Sequence, residues 1–416
     1  MTEQVHATGA NDDVLEEDIA AIYGKHDVET GSLVRLPEKR RDFKPWHHPV
    51  KQIVRAKQWA DLTKRLLETW SGARPKVLRY FTLPGADLLD IRVLARMCES
   101  LDVKIEYFGF DAASSSAAGA TDDQTQVRHS VTAESVLRQA GRITDEAVIF
   151  PDRLEDIALA DSHAATQLRL RGTFDVINID ACDHLAYNPT GRDRNTFDAL
   201  QMLLRHQMRS RTPWLLFITT RAQPSLLGQP GIEFQNAITQ NLLVPESGFG
   251  AKLAECVNAD QSRLAAELNS IWSTHDSRFL RLYAIGLGKF LLQFFHAQPN
   301  LPANVELASS YAYRVHNDDH PDMLALAFRI TPDEPRVFSP TVGGAAVVPP
   351  LEPVRAVRVA SQAVKLQDLD MAMTAEEKLL DEAVNGTSEL LAAANYDVQA
   401  WRQWLEGHSK RPVAIA

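Results

Sequence analysis

The chain is poor in cysteine. Cys98, Cys182 and Cys256 are its three thiols in 416 residues, and none stands in a CxxC pair or at a Cys/His spacing. This argues against a disulfide-stapled secreted scaffold and a sequence-encoded zinc site, and it favours a reducing, cytoplasmic setting. A long uninterrupted apolar run is also missing. The most apolar helical stretch, RFLRLYAIGLGKFLLQFF, is broken by Arg281 and Lys289 and falls short of the roughly 20 apolar residues of a membrane span, so a buried helix is expected there. The opening MTEQVHATGANDDVLEEDIA has neither the basic start nor the apolar core of a secretory signal, and none is expected. Finally, positive charge is in deficit: 44 basic side chains face 54 acidic ones, a formal net charge of -10, so no global field draws a polyanion.

What is present is a globular balance of 45% hydrophobic and 24% charged residues. At roughly 150 residues per domain the length suits two or three domains, or one enlarged α/β domain with additions. Charge is segregated along the chain. The first thirty residues hold eight acids and one lysine, whereas Lys44 to Arg79 hold nine basic residues and two acids. Within this basic stretch, residues 47 to 70 carry Ile53, Trp59, Leu62, Leu66 and Leu67 at mostly helical offsets, with Lys51, Arg55, Lys64 and Arg65 forming a polar side. An amphipathic helix packed on a sheet is the first expectation. Those four cations are the candidate contact for nucleic acid, and the charged termini are candidate contacts for a protein partner.

Periodicity then changes. KVLRYFTLPG reads as a strand ending in a Pro-Gly turn, ADLLDIRVLARMCESL as a helix, and VKIEYFGFD as a second strand. Strand, turn, helix, strand is the opening of a doubly wound α/β unit, because parallel neighbours need a crossover. EAVIFPDRLEDI, FDVINIDACDHL and WLLFITTRA supply three further strands, and residues 230 to 270 and 277 to 296 read as helical. VELASSYAYRV and DMLALAFRI, joined by HNDDHP, predict an antiparallel hairpin at the sheet edge. The expected organisation is an acidic arm over 1–43, a basic helical lead-in over 44–74, an α/β domain over 75–332, a Pro/Gly-rich linker or extended arm over 333–372, and a helical segment over 373–416. Trp401 and Trp404 are expected to anchor this last segment.

This order, over about residues 75 to 330, resembles the class I S-adenosylmethionine-dependent methyltransferase fold: Rossmann-like α/β, with a mostly parallel central sheet, an antiparallel terminal hairpin and helical additions. The resemblance implies S-adenosylmethionine as cofactor and methyl transfer as activity. It places the loop after the first strand on TLPGAD, with Thr82, Gly85 and Asp87 as cofactor contacts. The ribose-binding acid at the end of the second strand falls on Asp111. The loop after the fourth strand falls on NIDACDH, with Asp180 contacting cofactor or acceptor and Asp183 and His184 as the candidate base or orienting pair. On physical grounds Gly85 lets a backbone approach a ligand, and an acid at a strand tip can accept both hydrogen bonds of a ribose diol.

TLPGAD carries a single glycine and no acid at the strand end, unlike the acid and alternating glycines of the family. NPT at residues 188 to 190 lacks the second proline and aromatic of base-amine methylases. The acceptor is therefore open, with nucleic acid one candidate. The alternative function is a catalytically inactive methyltransferase-like interaction or regulatory protein, since a fold does not guarantee its chemistry. PDRLED and the cluster His316, Asp318, Asp319 and His320 are expected to be ordinary polar loops, and no metal site is expected.

Overall fold

The computed structural model describes residues 38–111, 121–181, 183–298, 302–316, 319–334 and 351–408. The acidic arm before residue 38, the Ala/Ser-rich segment 112–120, Cys182, Asp318 and residues 335–350 lie outside them. The chain divides at Arg40, and everything below concerns the unit Arg41–Ala416.

In chain order, helix α1 comprises Pro49–Ile53, a π-helical stretch Val54–Ala60 and Asp61–Glu68. Strand β1 (Val77–Thr82), helix α2 (Leu89–Glu99), β2 (Lys104–Phe110), α3 (Thr121–Gln139), β3 (Val148–Phe150), α4 (His163–Arg169), β4 (Val176–Asp180), α5 (Thr196–Gln207) and β5 (Trp214–Arg221) form the doubly wound portion. Helices α6 (Gly228–Leu242), α7 (Phe249–Val257), α8 (Leu264–Ser273) and α9 (Ser277–His296) follow, then the hairpin β6 (Ala303–Tyr313) and β7 (Met323–Pro332). The end of the described chain is α10 (Leu351–Ala363), β8 (Gln367–Asp368), α11 (Leu369–Ala375), α12 (Glu377–Ala393) and α13 (Val398–His408).

The eight strands form one sheet in the order β3-β2-β1-β4-β5-β7-β6-β8. β1 to β5 are mutually parallel, and β7 runs antiparallel between β5 and β6. The expected hairpin therefore forms, but it is not the outermost edge, because the two-residue β8 pairs in parallel with β6 beyond it. Strands such as β4 (VINID) and β5 (WLLFITTR) are buried almost throughout, as parallel strands covered on both faces must be.

Side-chain alternation sorts the core into two layers. Phe81, Phe108, Ile177, Ile179, Leu216 and Ile218 point to the face covered by α4 to α10. Leu78, Tyr80, Ile105, Tyr107, Val176 and Phe217 point to the face covered by α1, α2, α3, α11 and α12. The basic lead-in is thus a structural layer of the fold. The segment 333–372, expected as a linker, departs from that expectation: Ala356, Val359, Ala360 and Ala363 of α10 are fully buried against α9 and β6. The two terminal helices, α12 and α13, are separated at residues 394–397. Gly386 lies inside α12, where an added Cβ would stand 3.3 Å from Gln52 of α1, so this glycine allows two helices to approach closely. No helix among the described residues is long and apolar enough to cross a membrane.

Candidate functional site

In a doubly wound sheet, ligands bind beyond the carboxyl ends of the strands where the strand order reverses. Here that point lies between β1 and β4. Two residues of each strand are polar and share the α1 face by alternation: Tyr80 and Thr82 on β1, Asn178 and Asp180 on β4. Thr219 of β5 adjoins them, paired in register with Asp180. The Asp90 carboxylate, in the first turn of α2, accepts from the Tyr80 hydroxyl at 2.8 Å and from Thr82 Oγ1 at 2.6 Å. Asn178 Nδ2 donates to the Tyr80 oxygen at 2.9 Å. Burial pushes the Asp90 carboxyl above its usual range against these donors, and nearby Asp180 adds to the rise.

α1 closes this layer from outside. Lys51 is 5% exposed; its ammonium lies 2.5 Å from Asp180 Oδ1 and 3.4 Å from the Tyr313 hydroxyl, over the Trp59 ring at 5.0 Å. Burial acts to lower its pKa, but Asp180 and Tyr313 outweigh it and the net direction is upward. Arg55, 4% exposed, donates to the Trp46 carbonyl at 3.0 Å. Burial lowers its pKa against the opposing pull of Asp180 and Asp90. Several buried atoms in this layer lack a hydrogen-bond partner: Asn178 Oδ1, Thr219 Oγ1, Arg55 Nε and Gln58 Oε1. Unspent donors and acceptors at one place mark either ordered water or a polar ligand.

The expected site residues separate into five settings. Thr82 and Asp180 belong to the layer just described, with the Thr82 hydroxyl spent on Asp90. Gly85 sits in an open turn: nothing lies within 4 Å of a Cβ built on it and its φ is not positive, so neither close packing nor backbone strain demands glycine there. The special backbone positions are nearby instead. Leu88, fully buried at the entry to α2, has φ 51°, a left-handed conformation that costs a non-glycine residue about 1–2 kcal/mol. Gly109 of β2 allows Pro84 to fold over the sheet, since a Cβ there would stand 2.9 Å from Pro84 Cδ.

Asp87 is 8% exposed and accepts a 2.7 Å hydrogen bond from the Tyr396 hydroxyl, which joins the loop after β1 to the C-terminal helices. Trp401 Nε1 completes that join by donating to the His47 carbonyl at 3.1 Å. Asp111 stands half-buried at the tip of β2, its N–H donating to the Phe150 carbonyl at 3.0 Å. Asp183 and His184 lie apart from Thr82 and Asp87, beside the end of β5. Thr220 Oγ1 and the Arg221 N–H both donate to the Asp183 carbonyl at 3.2 Å. His184 Nε2 is 3.7 Å from Asp183 Oδ1, and its Nδ1 is buried without a partner. Burial lowers the His184 pKa and Arg221 adds to this against Asp183, so the ring is neutral at pH 7.

Of the four cations expected on the polar side of the lead-in, Lys51 and Arg55 face the interior, while Lys64 and Arg65 lie on the exposed side. The residues that sequence reasoning missed as a group are Lys51 as the partner of Asp180, Tyr80, Asn178 and Tyr396. Polar residues at i and i+2 inside otherwise apolar strands were the available signal for Tyr80 and Asn178. Trp401 anchors its helix as expected and is fully buried, with Trp404 half-buried beside it. A cavity of about 10 Å³, lined by Trp214, Phe295, Ile330 and Asp333, lies at the opposite end of β5 and holds about one water, not a nucleoside.

The crevice end of the sheet contains a testable titration. Asp370, beside Arg314 at the end of β6, is pushed up to about 6 by burial and by Asp368 and Asp322, against the Arg314 N–H and guanidinium. Its folded pKa lies above the unfolded one, so the protonated carboxyl contributes stability that is full below about pH 4 and lost as pH rises through about 6. Asp370→Asn, which keeps an acceptor for Arg314, is expected to raise the unfolding free energy at pH 7 by about 1–3 kcal/mol and leave it nearly unchanged at pH 4. Denaturant titrations at the two pH values check this; an equal gain at both would assign the effect to packing.

The strand order, with β7 antiparallel between β5 and β6, defines a divergent class I methyltransferase-like Rossmann fold. More narrowly, a family model described as PP_RS20740-like matches residues 40–406, and the chain belongs to that family. No curated protein matches the sequence.

Proposed function

We propose that the chain binds S-adenosylmethionine at the β1/β4 switch point and transfers its methyl group to an acceptor presented on the His184 side. One observation carries this reading: Asp111, a half-buried carboxylate, stands at the tip of β2 beside a switch-point layer whose buried polar atoms are unspent. The residues fit the nucleoside end of such a ligand, since Asp111 is a carboxylate at the strand tip and the open turn at Gly85 leaves space. When bound, the cofactor supplies a methyl group already activated by its sulfonium, so positioning accounts for much of the barrier reduction. Asp111 holds the ribose hydroxyls, and Thr82 and Asp180 line the approach to the reacting end. Neutral His184 can take a proton from the acceptor at an imidazole nitrogen, with Asp183 orienting the ring. Nucleic acid is one acceptor class, and a cytoplasmic location belongs to the same proposal.

A second reading rests on its own observation. Two acids expected near the cofactor are engaged by the chain itself: Asp180 with Lys51 and Asp87 with Tyr396. The Lys51 ammonium would also repel a sulfonium. On this reading the protein keeps the sheet and a ligand-sensing or partner-binding role without turnover. Methyl incorporation from radiolabelled S-adenosylmethionine into DNA, RNA and protein pools separates the two. Incorporation that is lost in Asp111→Ala supports the enzyme; binding without incorporation supports the second reading.

A further inference from the structure

The C-terminal ends of α4 and α5 lie side by side at the N-terminal edge of the sheet, the end opposite the crevice. They bring together Arg169, Arg171, Arg205, Arg209 and Arg211. The two segments are physically joined: Arg209 Nη2 donates to the Arg171 carbonyl at 3.2 Å, and His206 Nε2 lies 2.9 Å from the Gly172 carbonyl oxygen. Arg169, Arg205, Arg209 and Arg211 are exposed, and half-buried Arg171 lies over the Phe108 ring at 5.2 Å. Among the described residues none of the five meets a carboxylate. Their bonds go to backbone carbonyls, a threonine hydroxyl, His206 and a methionine sulfur.

On the same edge three other cations are matched: Lys76 with Asp102 at 2.6 Å, Arg79 with Asp175 at 3.3 Å and Arg142 with Glu99 at 2.8 Å. Two acids on this edge are already engaged. Asp175 is 2% exposed and held by Arg79, and Asp333, which lines a small cavity with Arg211, takes a two-pronged bond from Arg355 at 2.8 and 3.0 Å. Burial and Arg209 lower the His206 pKa, so the surplus at neutral pH is five guanidiniums. Helix dipoles account for a basic residue in each last turn, Arg169 and Arg205, but Arg171, Arg209 and Arg211 lie beyond the helices. In a chain of net charge -10, five unmatched cations on one edge repel one another and await a counter-charge.

We propose that this edge docks the phosphate backbone of a nucleic acid. Guanidiniums with unspent donors suit phosphate oxygens, which they bind in pairs, and the closely spaced charges of a polynucleotide match a multi-arginine surface. Because the edge lies opposite the crevice, the contact tethers the protein to the polymer. It stands whether or not the crevice turns over.

The test is fluorescence anisotropy with a short labelled DNA duplex and a short single-stranded RNA, each of mixed sequence, over a salt series. The proteins are the full chain, the triple variant Arg205→Gln/Arg209→Gln/Arg211→Gln, and Lys64→Gln/Arg65→Gln as a charge control on the other face. The three arginines are exposed, but Arg209 also bonds the Arg171 carbonyl, so circular dichroism melting verifies that the triple variant keeps the fold. The wild type is expected to bind at least one probe with salt-sensitive affinity. The triple variant should weaken it at least about tenfold and, on duplex, lower the salt slope by about 2–3, with little change in the control. The proposal is overturned by a wild type that binds neither probe, by a triple variant that binds like wild type, by a control that loses as much, or by polyglutamate binding the same surface as tightly.

Discussion

Trp401→Ala is expected to lower the unfolding free energy by about 3–5 kcal/mol, the cost of deleting a large buried aromatic. Trp401 is fully buried among Leu89, Leu390, Leu391 and Tyr396, and its indole N–H satisfies the His47 carbonyl. The substitution therefore opens a cavity and removes the indole hydrogen bond to a buried carbonyl, two penalties that act in the same direction. It should also loosen the loop after β1, because Tyr396, whose hydroxyl holds Asp87, packs in the same small cluster. Trp404→Ala is the internal comparison. That residue is half-buried, and its loss should cost less than half as much. Guanidinium unfolding of both variants checks the order; equal losses below about 1 kcal/mol would detach the C-terminal helices from the core.

Lys51→Met is the second large effect. Removing one partner of a fully buried ion pair costs about 3–5 kcal/mol; Asp180 keeps 24% of its side-chain surface exposed, so about 2–3 kcal/mol is expected here. Met fills the same channel over Trp59, so the loss reports on charge. Adding Asp180→Asn should restore at least half of it, and the double-mutant cycle should show strong coupling. Strictly additive losses would mean that the pair is incidental. The same variant carries a ligand readout that is insensitive to overall stability. With the ammonium gone, affinity should shift in favour of cationic S-adenosylmethionine relative to its uncharged-sulfur product, S-adenosylhomocysteine.

Strands β1 to β5 and their order of appearance were legible because each is an apolar run closed by a turn, and the hairpin because two β-rich runs flank a polar link, whereas the two-residue β8 carries no such run. Helix α10 was hidden by its Pro/Gly-rich approach, although Ala356, Val359, Ala360 and Ala363 recur at helical spacing. The lead-in helix was legible as a helix, but its faces were not. The π-helical stretch Val54–Ala60 shifts the phase of the 3.6-residue period, and the partner that draws Lys51 inward, Asp180, lies 129 positions along the chain. Packing alone reveals that Gly386 stands where α12 comes close to Gln52. Asp111 and Asp180 were readable as strand-tip acids. Which side chains of the chain itself would reach Asp180 and Asp87 was not readable, because those contacts come from segments remote in sequence.

The most direct measurement is a calorimetric titration of the full chain with S-adenosylmethionine and S-adenosylhomocysteine, repeated on Asp111→Ala. Saturable binding to the wild type, weakened about tenfold or more when the two carboxylate acceptors are removed, is the predicted result. No heat from either ligand at millimolar concentration, or binding indifferent to Asp111, would contradict the assignment of a cofactor to the switch point.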